Sequence, residues 1–313
     1  MRVAVFGAGS VGGYFGGCLA RAGVEVAFIA RGDHLRAMLA DGLRVTSPRG
    51  DFHVHPVRAT DDPAQVGPVD VVIVAVKAWQ VPDAALAIRP MLGPRTFAVP
   101  LQNGVEAASQ LAAVLGAGRV VGGSCRIISM IAGPGHIRHV GIEPTVVIGE
   151  LDRQPSERIE RLRQVLERAG VTTEVAADIH VAVWEKFLFL APLSGVGALT
   201  RAPVGIVRSV PQTRQLLEAA MREIVAVGRA HGVRLPDDAA ARAMAVIEAS
   251  PPKGTTSMQR DIMAGKPSEL EAQSGAVVRL GREAGVPTPV HDFIHAALLP
   301  MEMRARGRLE FSV

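Results

Sequence analysis

The sequence predicts an α/β protein in two parts, a parallel-sheet domain over residues 1–176 and an all-helical domain over residues 177–313. Three observations predict it. An apolar strand at the N-terminus runs directly into a glycine-rich turn and a helix. Strand-like and helix-like stretches then alternate through the first half, and beyond Asp178 strands largely vanish. Alternation of this kind implies a parallel sheet with helices packed on it, and the helical run after it needs a core of its own.

The first element is Val3-Ala4-Val5-Phe6, which leads into GxGxxG filled by Gly7, Gly9 and Gly12. A helix-like run from Tyr14 to Ala22 stops at Gly23, and a second apolar strand follows from Val24 to Ala30. This is the order of a Rossmann-type dinucleotide-binding turn. Gly7 allows the tight turn, Gly9 lets backbone approach a pyrophosphate, and Gly12 lets helix and strand pack closely. Ser10 and Val11 add N–H groups at the helix N-terminus, where the dipole favours an anion. Glycines also collect in ordinary tight turns, but the flanking strands favour the nucleotide reading. The tip of the second strand distinguishes the nucleotide. An NAD site usually places Asp or Glu there for the ribose hydroxyls, whereas this chain has Ala30-Arg31-Gly32, with Asp33 two residues further on. Arg31 can pair bidentately with a 2′-phosphate, so NADP (NADPH) is the expected cofactor. The alternative for Arg31 is a solvated loop residue.

Composition narrows the class. Aromatic residues make up only 4% against 48% hydrophobic, so the cores must be built from Val, Leu, Ile and Ala. A net charge of +4 arises from 34 basic and 30 acidic residues spread along the chain, without a basic block interleaved with aromatics, so no nucleic-acid surface is expected. Cys18 and Cys125 show neither metal spacing nor a disulfide framework, and Cys18 reads as a small core residue. Apolar runs such as Val69 to Val76 are shorter than the ~20 residues a membrane helix needs. With a strand starting at residue 3, no signal peptide is expected, and the location expected is cytoplasmic.

After Arg31, Asp33 to Ala40 reads as a helix with Asp33 as N-cap. Leu43 to Thr46 and Asp51 to Val57 flank Ser47-Pro48-Arg49-Gly50 and suggest a hairpin. His53 and His55 alternate on one strand face and read as solvated residues rather than metal ligands, since no third ligand is near. Val69 to Val76 is the pattern of a buried central strand. It ends at Lys77-Ala78-Trp79-Gln80, and ligands bind outside the carboxyl ends of such strands, which makes Lys77 and Gln80 candidate cofactor contacts. A helix to about Leu92 precedes the strand Thr96 to Leu101, which ends at Gln102-Asn103-Gly104. Asn103 is either a ligand contact or a helix N-cap. Arg119 to Met130, Gly135 to His139 and Thr145 to Gly149 are β segments with short turns, expected as antiparallel additions to one sheet edge. Ser156 to Ala169 is an amphipathic helix, and Val171 to Val175 closes the domain.

The second half reads as helices over Ile179 to Leu193, Pro211 to His231, Asp237 to Glu248, Pro267 to Ala284 and Val290 to Met303. Pro251 to Thr256 is a loop, after which Thr255 to Ile262 opens a further helix. Lys186, beside Phe187, Leu188 and Leu190, is either a snorkelling surface residue or a site lysine. Ser257 reads as a cap or a ligand contact, and Glu269 as a first-turn acid or a functional carboxylate.

In order along the chain stand Gly7-Ala8-Gly9-Ser10-Val11-Gly12, Arg31-Gly32, Val76-Lys77-Ala78-Trp79-Gln80, Gln102-Asn103-Gly104, Trp184-Glu185-Lys186, Thr256-Ser257-Met258-Gln259-Arg260-Asp261-Ile262 and Glu269. With these pieces the chain resembles the ketopantoate reductase (2-dehydropantoate 2-reductase) family over essentially its full length. The resemblance implies NADPH-dependent reduction of a 2-oxo acid at the domain cleft, most simply ketopantoate to pantoate as in pantothenate biosynthesis. It implies Lys186 and Glu269 as catalytic residues and Asn103 and Ser257 at the substrate. It implies Lys77 near the nicotinamide end, and Asn103 and Gln80 among the cofactor contacts. The family carries asparagines four and eight residues after the lysine and five after the glutamate; here those positions are Leu190, Ser194 and Ser274. A pocket wall at Leu190 and Ser194 would then be more apolar, which brings in two further readings: a less polar 2-oxo acid as substrate, or a non-catalytic NADPH-binding sensor. The expected partner is a small 2-oxo acid, with neither nucleic acid nor membrane, and a homodimer is compatible with the sequence.

Overall fold

The structure is a computed structural model that describes Met1–Phe311. The chain divides into two compact units. The first comprises Met1–Gln102 and Ala107–Ile179, and the second comprises Asn103–Glu106 and the chain from His180 onwards.

In chain order the first unit holds β1 (Arg2–Phe6), α1 (Ser10–Arg21), β2 (Glu25–Ile29), α2 (Gly32–Asp41), β3 (Leu43–Thr46), β4 (Phe52–Val54) and β5 (Arg58–Thr60). It continues with β6 (Val69–Val74), α3 (Val81–Ala87), β7 (Leu92–Pro100), α4 (Ala107–Leu115), β8 (Gly122–Arg126), β9 (Ser129–Gly133) and β10 (His136–His139). It ends with β11 (Thr145–Gly149), α5 (Glu157–Arg168) and β12 (Thr172–Val175). The central sheet has the order β5-β2-β1-β6-β7, and every neighbouring pair is parallel. Strand order reverses beside β1, the point at which open α/β sheets place their ligand crevice.

Both faces of this sheet are covered, which is why its strands are nearly continuous apolar runs. Successive side chains of a strand point to opposite faces. Val3 and Val5 join Phe28, Val71, Ile73 and the α1 residues Phe15 and Leu19 in one core. Ala4 and Phe6 join Ile29, Val72, Val74, Val81 and Leu111 in the other. Cys18 and Cys125 are buried free thiols.

The segments expected as additions to one sheet edge behave otherwise. They build two further sheets, of order β4-β3-β10-β9 and β12-β11-β8. β10 pairs in parallel with β3, far earlier in the chain, with His136 opposite Arg44. The expected β3–β4 hairpin is present, with Leu43 opposite Val54. His53 is spent on the Asp41 carbonyl, with its ring nitrogen 2.6 Å from that oxygen. The cap of α2 is Arg31 rather than Asp33, which stands in the first turn.

The second unit holds α6 (Ile179–Thr200), α7 (Val204–Ser209), α8 (Pro211–Ala230), α9 (Ala239–Ala249), α10 (Ser257–Met263), α11 (Ser274–Ala284) and α12 (Pro289–Ala305). Its core gathers Trp184, Phe187, Leu188 and Val196 of α6 with Leu217, Met221 and Ile224 of α8 and Ile294 of α12. α6 runs past the expected end at Leu193, through Pro192, to Thr200. Its 22 residues are long and apolar enough to cross a membrane by length and composition alone. In this fold 61% of its most apolar window is buried as the unit's central helix.

Candidate active site

One half of the predicted site lies in the first unit, where β1 passes into α1. Gly7 has φ +100°, a backbone conformation that side chains disfavour, and a Cβ there would lie 2.8 Å from Val76 Cγ1. A Cβ on Gly12 would stand 2.1 Å from the Gly7 carbonyl oxygen and 2.8 Å from Val5 Cγ1, so only glycine lets α1 approach β1 this closely. At Gly9 an added Cβ would meet nothing within 4 Å. Gly9 caps α1 without a side-chain hydrogen bond, and no acid stands in the helix's first turn, which Ser10, Val11 and Gly12 begin. Open space, backbone donors and the positive end of a helix dipole therefore coincide, and the residues present fit a dinucleotide pyrophosphate. Arg31 follows the tip of β2 as the exposed N-cap of α2.

Lys77 and Gln80 bracket a short 3-10 turn after β6. The Lys77 N–H donates to Gln80 Oε1 at 3.3 Å and the Gln80 N–H to the Lys77 carbonyl at 2.9 Å, so Gln80 shapes the backbone that carries Lys77. The Lys77 ammonium lies 5.8 Å from the Trp79 ring centroid. Gln102 has a bracing role that its sequence neighbourhood does not announce. Its amide donates to the Val74 and Val76 carbonyls at 2.9 and 3.1 Å, sewing the end of β7 to the end of β6.

The other half lies in the second unit. Asn103 Nδ2 donates to Glu269 Oε2 at 3.1 Å. Asn103 stands four residues before α4 and is not its cap. Gly104, at φ +99°, brings its segment so near the chain after Glu269 that a Cβ would lie 2.8 Å from the Ala272 carbonyl oxygen. The Glu106 carboxylate bonds Arg279 at 2.7 Å. Asn103 and Glu269, 166 residues apart, are thus fixed against each other.

Glu269 is not in the first turn of a helix as the periodicity suggests, because α11 begins only at Ser274. Gln273, at φ −108° and ψ −97°, leaves helical geometry immediately before α11, and the neighbour of Glu269 is held by a buried lock. Ser268 is fully buried, and its N–H and hydroxyl both donate to the Glu302 carboxylate, at 3.0 and 2.5 Å to Oε2. Arg306 bonds Glu302 at 2.6 Å and the Ser268 carbonyl at 3.1 Å. In the sequence Glu302 and Arg306 look like an ordinary i,i+4 surface pair, so nothing marked them.

Lys186 is half-buried on α6, and Leu190, one turn on, is half-buried too, while Phe187 and Leu188 are core. Ser194 is fully buried, as are Gln273 and Ser274, and their side-chain polar atoms have no protein partner. A Cβ on Gly195 would lie 2.6 Å from Ile294 Cγ2 and 3.4 Å from Ser274 Oγ, so α6 packs closely on α11 and α12 at Gly195. Leu190 and Ser194, one turn apart on α6, differ in exposure, the first half-buried and the second fully buried. Ser257 is the first residue of α10, and the capping oxygen is that of Thr256, which accepts from the Gln259 N–H at 3.2 Å.

A parallel α/β unit with an open glycine turn at its switch point is the architecture of a dinucleotide-binding protein. Comparison with known proteins makes this specific. The family model described as Ketopantoate reductase PanE/ApbA matches residues 3–153, and its C-terminal counterpart matches residues 178–302. A 2-dehydropantoate 2-reductase of Mesorhizobium japonicum is 33% identical, over 95% of this chain and 96% of that one. The crystal structure of a PanE/ApbA family ketopantoate reductase from Ralstonia eutropha has a TM-score of 0.89 at 35% identity, covering 98% of this chain and 100% of that one. D-mandelate dehydrogenase in a complex with NADH and anilino(oxo)acetate has a TM-score of 0.88 at 19% identity, covering 98% and 99%, a likeness of fold alone. The chain belongs to the ketopantoate reductase family, oxidoreductases that act on CH–OH groups.

Proposed function

We propose that this protein reduces 2-dehydropantoate (ketopantoate) to pantoate with NADPH, in the cytoplasm, residues 1–176 holding the cofactor and residues 177–313 supplying the acid chemistry. The hydrogen bond between Asn103 and Glu269 is the observation that carries the reading, because it sets an amide and a buried carboxylate of the expected polar set against each other. A bound NADPH supplies the hydride. Hydride arriving at C2 of a 2-oxo acid leaves negative charge on the carbonyl oxygen. Lysine side chains ordinarily titrate at ~10.4 and so carry a proton at neutral pH. The Lys186 ammonium stabilises the developing charge and gives the oxygen its proton. Glu269 holds the ammonium or the new hydroxyl, and the remaining amide N–H of Asn103 and the hydroxyl of Ser257 suit the substrate carboxylate. Gly7, Gly9, Ser10, Val11 and Gly12 cradle the pyrophosphate, Arg31 takes the 2′-phosphate, and Lys77 serves the nicotinamide end on a backbone shaped by Gln80.

Leu190 favours a second reading of the substrate. It follows Lys186 by one turn and shares its partial exposure, so the end of the substrate remote from the carbonyl meets methyl groups there. The buried Ser194 hydroxyl, which has no protein partner, can restore one hydrogen bond, whereas Leu190 cannot. A site built to bond a hydroxyl rejects the deoxy analogue by ~10⁴–10⁵. The test is kcat/KM over a panel of 2-oxo acids that includes ketopantoate and its deoxy analogue. Comparable values for that pair support the apolar wall, a preference of ~10⁴ for ketopantoate refutes it, and turnover of none with NADPH bound would leave a cofactor-binding sensor.

A further inference from the structure

The glycine turn is braced by a residue outside the cofactor-binding set. His34 stands on α2, three residues after Arg31, and is partly buried. Its Nε2 lies 2.8 Å from the Ala8 carbonyl oxygen, and its Nδ1 lies 3.1 Å from the Gly135 N–H at the turn into β10. The partners decide the tautomer. A backbone N–H can only donate, so Nδ1 accepts; a carbonyl can only accept, so Nε2 carries the hydrogen. Only the neutral ring satisfies both, and burial holds the imidazole below its ordinary pKa.

The Ala8 carbonyl belongs to the peptide that continues as the Gly9 N–H. In a trans peptide these two groups point in opposite directions, so fixing one aims the other. The neighbouring peptides are also tied: the Ala8 N–H bonds Ile29 O at 3.0 Å, and the Gly13 N–H bonds Gly9 O at 2.7 Å. Gly9 is the position left open by the fold. α2 carries Arg31 as its N-cap, so one helix presents Arg31 at its start and grips the glycine turn from its first turn. The packing of α2 rests on other residues, chiefly fully buried Met38.

We infer that His34 is a positioning residue for cofactor binding: its neutral ring locks the Ala8–Gly9 peptide, aims the Gly9 N–H at the pyrophosphate, and fixes that donor relative to Arg31. This rests on the reading that the glycine turn holds the pyrophosphate. Wild type, H34F and H34Q are compared by NADPH titration, steady-state kinetics and thermal melting. Phenylalanine keeps the ring and loses both bonds; glutamine restores a donor for the Ala8 carbonyl. H34F should raise Kd and KM for NADPH about tenfold, the scale of one lost hydrogen bond, with kcat at saturating cofactor unchanged, and H34Q should recover most of the affinity. Should H34F not fold, H34L is measured in its place. Unchanged Kd in H34F, a loss of kcat without a change in Kd, or H34Q as weak as H34F overturns the brace alone. A wild type that binds neither NADPH nor NADH overturns the cofactor reading and the brace with it.

Discussion

Arg31 and His291 show how far single side chains can be read as physical statements. Arg31 caps α2 and stands exposed where a carboxylate would oppose a 2′-phosphate. Arg31→Ala should weaken NADPH far more than NADH, as seen in separate titrations of the two cofactors; equal losses would mean that Arg31 does not read the phosphate. His291 is fully buried. Its Nε2 is 3.2 Å from the Ala220 carbonyl oxygen, and its Nδ1 has no protein partner. Burial lowers its pKa to about 4 from the ordinary 6.5. The unfolded chain therefore takes up a proton below pH 6.5 that the folded chain refuses until about pH 4. The associated stability is complete above 6.5 and is lost as pH falls toward 4. Nearby Glu223, whose pKa burial raises, acts in the opposite sense, so the comparison needs a variant. His291→Phe should remove the histidine's share, and between pH 7 and pH 5 wild type should lose about 2 kcal/mol more than the variant, from ~1.4 kcal/mol per pH unit below 6.5. Urea unfolding at both pH values measures it, and equal losses would contradict the assignment.

Among the elements, β1, the glycine turn and α1 separate fold from function at adjacent positions. A Cβ at Gly12 collides with the Gly7 carbonyl at 2.1 Å, whereas a Cβ at Gly9 touches nothing and the Gly9 backbone is extended at φ −70°. Gly12→Ala should therefore lower the melting temperature by the several degrees that about 1–3 kcal/mol of overpacking implies. Gly9→Ala should melt with wild type yet bind NADPH more weakly, and a Gly9→Ala protein with full affinity would mean the open face is not a pyrophosphate seat. The same elements show what a sequence carries. β1, β2 and β6 were legible because a strand buried on both faces is a continuous apolar run. The peripheral sheets were not, because β10 finds β3 across the chain and no local pattern encodes that pairing. The false start of α11 at Pro267 is a backbone matter: the apolar period continues through Ser268–Gln273, but Gln273 leaves helical geometry at φ −108° and ψ −97° and the helix starts only at Ser274. α6 continued past Leu193 because its all-round apolar surface is buried in a core that the sequence does not display. In the candidate site the glycines and Arg31 followed from residue chemistry, whereas Lys186, Asn103 and Glu269 needed the family resemblance, since each alone also fits a surface or capping role. His34 and Gln102 lacked any signal, because their work is to hold backbone carbonyls.

For the molecule as a whole, each unit has its own apolar core, built with few aromatics, and each carries a different part of the proposed site. The first presents an open glycine turn and Arg31. The second presents Lys186 on its central helix, with Asn103 and Glu269 hydrogen-bonded to each other. The short segment Asn103–Glu106 belongs to the second unit although both its neighbours in sequence lie in the first, and its bonds to Glu269 and Arg279 account for that membership. On the proposed assignment, cofactor affinity and proton delivery are separable by mutation. The decisive measurement is ketopantoate turnover by wild type and Lys186→Ala at saturating NADPH, with NADPH affinity determined on the same preparations. With Lys186 as the acid, kcat should fall by ~10²–10⁴, the usual contribution of one positioned acid, while NADPH affinity is preserved. Turnover by the variant at the wild-type rate would contradict that role and return Lys186 to the protein surface.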